Sequence, residues 1–322
     1  MSNPSATRDR GAMMGIGIAL VLGGGSAACD KASPSERARR KAAQVDFWPE
    51  APKPAVTAGT RTLAYQPANL HGYRIDIDVA SLPGADMDIR SKMRLDLTMR
   101  PGPTPDARLT YLTGIDMQVS APGQAMSMRL DHDRVEVDND GSKVTIERGE
   151  TGPFTVEGLV DTPTGTMTIG ADGTVTIAGN PGNQFVAGGA NMVESAFILF
   201  PDLPAGAVAP GHTWSMTRAM AIGGALGTVD VTYEFRYAGD GACPSGATTC
   251  SLLTFTAASP AKPVHAQGLD GTVGYGFAGK VFLDHARGAI DEARVRLDMD
   301  VKLDRFKLPM GGTYAVKALP PS

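Results

Sequence analysis

The sequence predicts an all-β fold, mostly antiparallel, with one buried helix: a large curved sheet forming a partial barrel or a two-lobed sandwich. Three observations carry this. The 39 glycines and 23 prolines among 322 residues are about a fifth of the chain against roughly 12% in an average protein, an excess that disfavours a helical bundle. Hydrophobic residues at 42% with charged residues at 20% supply enough apolar surface for a core, so neither a disordered nor a collagen-like chain fits. From about Thr60 onward, apolar residues recur with period two between short turn signals.

The clearest strand is DIRSKMRLDLTMRP, where Ile89, Met93, Leu95, Leu97 and Met99 face one way and Arg90, Lys92, Arg94, Asp96 and Thr98 the other. Similar alternation runs through YRIDIDVA, ARLTYLTGIDMQVS, AMSMRLD, RVEVD, KVTIER, TMTIG and TVTIAG. The turn signals PGPTPD, APGQ, DNDG, TPTG and GADG separate them, and strands joined by such short turns must be antiparallel. The segment NQFVAGGANMVESAFILF breaks the period: Val186, Ala190, Val193, Phe197 and Phe200 recur at steps of four and three. That spacing predicts a buried helix over residues 184–199, ended by Pro201. A second β region follows: TWSMTRAMAI, LGTVDVTYEFRYAG, SLLTFTAAS, GTVGYGFAGKVFLD, AIDEARVRLDMDVKLD and a short last strand near TYAVKAL.

The N-terminus is expected to be removed. Arg8 and Arg10 precede an apolar run from Ala12 to Leu22, the pattern of a signal peptide over residues 1–28. The run is too short to span a bilayer, so the mature chain is expected to lack a transmembrane helix. Ser26, Ala27 and Ala28 before Cys29 resemble the lipobox of bacterial lipoproteins, in which the cysteine is acylated and becomes the new N-terminus; Ser26 departs from the usual Leu. A plain secretory peptide that leaves Cys29 free is the alternative. Residues 29–57 then form a lipidated cysteine and flexible tether, and residues 58–322 a single β-rich domain. The tether carries Arg37, Arg39, Arg40 and Lys41, which either lie on anionic headgroups or are simply solvated.

Assigning Cys29 to lipid leaves Cys243 and Cys250, which an exported chain can oxidise; a disulfide across a hairpin tip is expected. A formal charge of -4 gives no basic footprint for nucleic acid, and no cofactor is called for. Taken together, the lipobox, the alternating strands, the turn DTPTG (Asp161 to Gly165) followed by GADG, the helix, and FPDLPAGAVAPGHTW with its Gly211 to Trp214 G-x-x-W resemble an uncharacterised family of exported bacterial lipoproteins. The likeness covers most of the chain after Tyr65. It implies a β-rich fold and carries over no activity or catalytic residue.

Several motifs suggest chemistry and have simpler readings. Gly274, Gly276 and Gly279 have dinucleotide-fingerprint spacing, yet VFLD continues as strand where a helix is required. From Glu136, the residues Asp138, Asp140, Gly141 and Glu147 match the spacing of a calcium loop, but the flanks read as strands and a hairpin turn at DNDG accounts for them. The histidines show no metal spacing, and no G-x-S-x-G elbow is present. Methionine is the remaining oddity, at 15 in total. Met93, Leu95, Leu97, Met99, Met126 and Met128 are candidates to face an apolar ligand, because flexible polarizable side chains suit variable apolar partners; ordinary core filling is the other reading.

The functional expectation is therefore a membrane-anchored lipoprotein of the bacterial cell envelope, on its extracytoplasmic or periplasmic side. It is non-enzymatic and binds an apolar small molecule or lipid. The alternative is a structural or interaction lipoprotein that docks another envelope protein through a sheet edge, and a third reading is an exported hydrolase.

Overall fold

Alternating residues sort themselves onto two faces of one very large sheet. The computed structural model describes residues 59–66, 72–99, 107–121, 124–151, 155–161, 165–169, 175–179, 200–221, 228–246, 248–266, 269–304 and 306–320. The signal segment, Cys29, the tether and the expected helix at 184–199 lie outside the described residues.

A first meander comprises β2 (Gly72–Ser81), β3 (Asp88–Met99), β4 (Ala107–Ala121), β5 (Gln124–Leu130), β6 (Arg134–Asn139) and β7 (Ser142–Glu147). A second comprises β11 (Thr213–Ala221), β12 (Thr228–Ala242), β13 (Thr249–Ala266), β14 (Leu269–Asp284), β15 (Ala289–Leu303) and β16 (Phe306–Ala318). Each strand pairs antiparallel with the next, and β16 pairs with β2, so one unbroken path runs from β11 through the β16–β2 seam to β7. The two ends of that path do not pair, and the sheet is not closed into a barrel. A side hairpin of β8 (Gly165–Ile169) and β9 (Val175–Gly179) covers the first residues of β4, whose later residues pair with β5. A separate two-stranded sheet joins β1 (Arg61–Thr62) to β10 (Ala207–Val208).

The charged face fixes the register of β2 and β3. Arg74 faces Asp96, Asp76 faces Arg94 and Asp78 faces Lys92, with ion pairs of 2.9, 2.7 and 3.8 Å. Each exposed pair contributes at most about 1 kcal/mol. A one-residue slip, however, would turn this ladder into the core and Ile75, Ile77, Met93 and Leu95 into water.

The opposite face is predominantly apolar. Across β11 to β14 it is an aromatic layer: Trp214, Phe235 and Phe255 follow one another with centroids 5.5 and 5.1 Å apart, and Tyr233 lies 6.3 Å from Phe277. Gly279 makes room for it, since a Cβ there would come within 2.7 Å of the Phe255 ring and of the Arg294 carbonyl. The glycine-rich stretch thus serves close packing inside a strand.

Short elements lie over part of this face. Tyr65, following β1, and Phe200 join the core, with Phe200 meeting the Tyr73 ring edge-on at 5.2 Å. The segment at 200–203 is held by the Trp214 indole N–H, which donates to the Asp202 carbonyl at 2.8 Å, and by an Arg218–Asp202 ion pair. A five-residue helix, α1 (Val156–Val160), buries Val156, Leu159 and Val160; the Thr155 hydroxyl caps it by accepting from Gly158 N at 3.0 Å.

Two strands exceed the expected lengths. β13 continues past Ser259 through Pro260 and Pro263 to Ala266, with a register shift between Ser259 and Lys262 that absorbs the missing N–H. β16 starts at Phe306 and passes through Pro309, whose carbonyl accepts from Leu82 N at 2.8 Å.

Candidate functional site

Burial on the apolar face dips in a band across the strands and returns beyond it, where Val301 and Leu303 on β15, Leu308 and Phe306 on β16 and Ile89 on β3 are buried again. At one level Ala293, Val316, Ile75 and Leu95 stand in register on β15, β16, β2 and β3, and all four have no exposed surface. Two residues along, Val295, Tyr314 and Ile77 are still buried. Further along, Met299 pairs with Met310, and Gly312 with Val79, and these positions are half-buried. Half-buried positions recur at Met117 and Val119 on β4, Met126 on β5 and Val137 on β6, interrupted by the buried Ile89 and Met128 that pair with them. On β15 the passage from Ala293 to Met299 covers about 20 Å, at roughly 3.3 Å per residue.

Methionine marks the open level. Met93, Met117, Met126, Met299 and Met310 are all half-buried on this one face. Of the six residues expected to face a ligand, Met93 and Met126 lie here, whereas Leu95 and Met128 are core residues. Leu97 and Met99 occupy β3 opposite Thr110 and Arg108, and their side chains lie outside the description. Met299 and Met310, on strands distant in sequence, were missed by sequence reasoning; their only signal was the even spacing within β15 and β16.

A polar knot forms at the other end of the second meander. The Asp240 carboxylate accepts from the Tyr237 hydroxyl at 2.6 Å, the Ser251 hydroxyl at 3.0 Å and Arg61 Nε at 2.8 Å. His285 presents Nε2 to Ser251 Oγ at 2.7 Å and to Asp240 at 3.3 Å. In a nucleophilic triad, serine and carboxylate take opposite imidazole nitrogens; here both share one nitrogen, and Ser251 is fully buried with its proton directed at Asp240. Burial pushes the His285 imidazole below its usual value, reinforced by Arg61 and opposed by Asp240 and Asp284.

The expected disulfide is present between Cys243 and Cys250. Its loop is bound to the β14–β15 turn: Thr248 donates to Asp284 at 2.6 Å, Ser245 N donates to Asp291 at 3.0 Å, and Arg287 pairs with both carboxylates. Burial opposes ionisation of Asp284, but the donors from Thr248, Arg287 and Ala286 outweigh it and hold its pKa below the ordinary value. Among the described residues, the one cluster with metal-ligand spacing is Cys243, Cys250 and Asp291, and its two sulfurs are already bonded to each other.

The calcium-spaced residues sit on a straight hairpin. Asp140 and Gly141 have φ of 50° and 84°, the left-handed pair of a type I′ turn. Asp138 accepts from Gly141 N at 2.8 Å and Asp140 from Ala125 N at 2.6 Å, while Glu136 pairs with Arg134 and Lys143. Glu136 faces Thr145 and Glu147 faces Arg134 across the hairpin, so the four residues spread along two strands. Gly276 and Gly279 lie inside β14 paired on both sides, and Gly274 pairs with Asp300 on β15 at the register shift with β13, with a strand rather than a helix following.

No protein-family model and no curated protein matches the chain. Among solved structures, it is similar to a chain described as "Lipid-protein interactions in lipovitellin", at 11% identity and a TM-score of 0.42, covering 78% of this chain and 26% of that one. The chain therefore spans about a quarter of the length of that neighbour.

Proposed function

We propose that the protein is exported, acylated at Cys29 and held at the membrane of a bacterial cell envelope, where its sheet binds an apolar small molecule or lipid and performs no catalysis. A half-buried band carries this reading. A face that served only as core would be closed along its length, as it is at Ile75 and Leu95 and again at Val301 and Leu308; here Met93, Met117, Met126, Met299 and Met310 between such levels stay half-buried. Unbranched, polarizable methionine side chains adjust to chains of differing shape at little cost. The signal segment, the lipobox-like Cys29 and the basic tether at Arg37 to Lys41 support the location.

The test uses the full chain carrying Cys29→Ala, exported and purified without detergent. Native mass spectrometry is expected to show a co-purifying apolar adduct, and an apolar fluorescent probe such as N-phenylnaphthylamine is expected to bind. Met117→Asp and Met299→Asp should each weaken that uptake by placing a charge on the strip. A clean protein mass together with no probe uptake would overturn the reading.

A further inference from the structure

On the apolar face the Tyr275 hydroxyl is left without a hydrogen bond among the described residues. Tyr275 is 2% exposed. It stands on β14 directly across from Met299, whose own neighbour on β16 is Met310. Its ring stacks on Phe277 at 6.1 Å, and Ser259, opposite on β13, directs its hydroxyl to the Pro260 carbonyl. Leaving a buried hydroxyl unpaired costs on the order of 1–3 kcal/mol, and phenylalanine would fill the same volume without that cost. A donor kept at this cost beside the open methionine level matches an acceptor that arrives from outside.

We infer that the ligand of the methionine-lined strip is an uncharged amphiphile whose carbonyl oxygen accepts a hydrogen bond from Tyr275, as an acyl ester or long-chain ketone does. This rests on the binding reading above and adds the head group. Burial, then the neighbouring Tyr314 and Tyr233, push the Tyr275 phenol far above its usual value, so it acts as a donor at any physiological pH. A free carboxylate is disfavoured. Its charge would have to leave water for a layer of Phe277, Met299 and Tyr314.

The experiment displaces bound N-phenylnaphthylamine from the Cys29→Ala chain with three matched ligands: methyl decanoate, undecane and decanoate. Methyl decanoate is expected to displace the probe at about five- to tenfold lower concentration than undecane, the factor of one net hydrogen bond, and decanoate to be the weakest. Tyr275→Phe should erase the advantage of the ester while leaving undecane unchanged. Equal potency of ester and undecane on the unsubstituted protein would overturn the inference and leave apolar binding intact, as would decanoate proving the strongest; failure of the probe to bind, together with a clean native mass, would overturn the binding reading itself. A melting temperature taken without ligand guards the variant. Tyr275→Phe should melt at or above the parent, and a clear drop would mean that the hydroxyl is already satisfied, which also overturns the inference.

Discussion

Truncating three side chains of the same face should separate structure from binding. Leu95 has no exposed surface and stands beside Ile75 in the closed level, whereas Met117 and Met299 lie half-buried. Leu95→Ala removes a fully enclosed side chain from a core that can collapse little, since the sheet backbone is pinned on both sides; the cost is about 3–4 kcal/mol. Met117→Ala and Met299→Ala remove side chains already partly in water, at a cost of about 1 kcal/mol each. With roughly 2–4 °C of melting temperature per kcal/mol for a domain of this size, Leu95→Ala is expected to lower Tm by on the order of 10 °C and each methionine variant by about 3 °C. Urea unfolding followed by tryptophan fluorescence measures the same difference, using Trp214 in the aromatic layer as reporter. Methionine variants that cost as much as Leu95→Ala would show the open level to be closed core and would remove the reason for placing a ligand there.

Three further outcomes follow from other parts of the structure. Cys243→Ser with Cys250→Ser should destabilise by about 2–3 kcal/mol, the chain-entropy value for so short a loop, read as a shift in the denaturation midpoint; no shift would mean that the hydrogen bonds to Asp284 and Asp291 hold the loop unaided. Gly279→Val should cost at least about 1–3 kcal/mol by driving a side chain into the Phe255 ring and the Arg294 carbonyl, and near-neutral behaviour in a thermal melt would contradict the packing described. The lowered pKa of His285 makes its contribution to stability fully present above the unfolded value near 6.5 and progressively lost as pH falls below it. Stability measured just below pH 6.5 should therefore fall less steeply in His285→Gln than in the parent, and an unchanged slope would show that the imidazole is not desolvated by folding.

The alternation in β2 and β3 was legible because each residue is sorted by one simple contrast, core against water, and the register follows from it. The longer reach of β13 and β16 was not: Pro260, Pro263 and Pro309 read as strand breakers, and only a register shift or a proline on a side facing a loop makes them tolerable. The helix α1 escaped notice because VEGLV is too short to show a helical period, and what defines it is the Thr155 cap. The knot at Asp240 was hidden for a different reason. Its members Arg61, Asp240, Ser251 and His285 are scattered along the chain, and the one local sign was polar residues at positions where β12 to β14 otherwise alternate. The methionine level combined both cases: Met93, Met117 and Met126 stood out within the first meander, but joining them to Met299 and Met310 required knowing that β16 lies beside β2.

That seam also sets the order in which the molecule can be completed. The strands at the edges of the sheet, β7 and β11, come from the interior of the sequence, while its middle is built from the first long strand and the last; Leu319 N donates to the Gly72 carbonyl at 2.9 Å. As the chain emerges from its N-terminal end, the first meander appears with the flank of β2 uncovered and must wait for almost the whole remaining chain before β16 arrives to close it, a contact of very long sequence separation. Loss of the final strand would therefore not fray a border. It would divide the sheet into two halves, each with a raw inner edge that invites pairing between molecules.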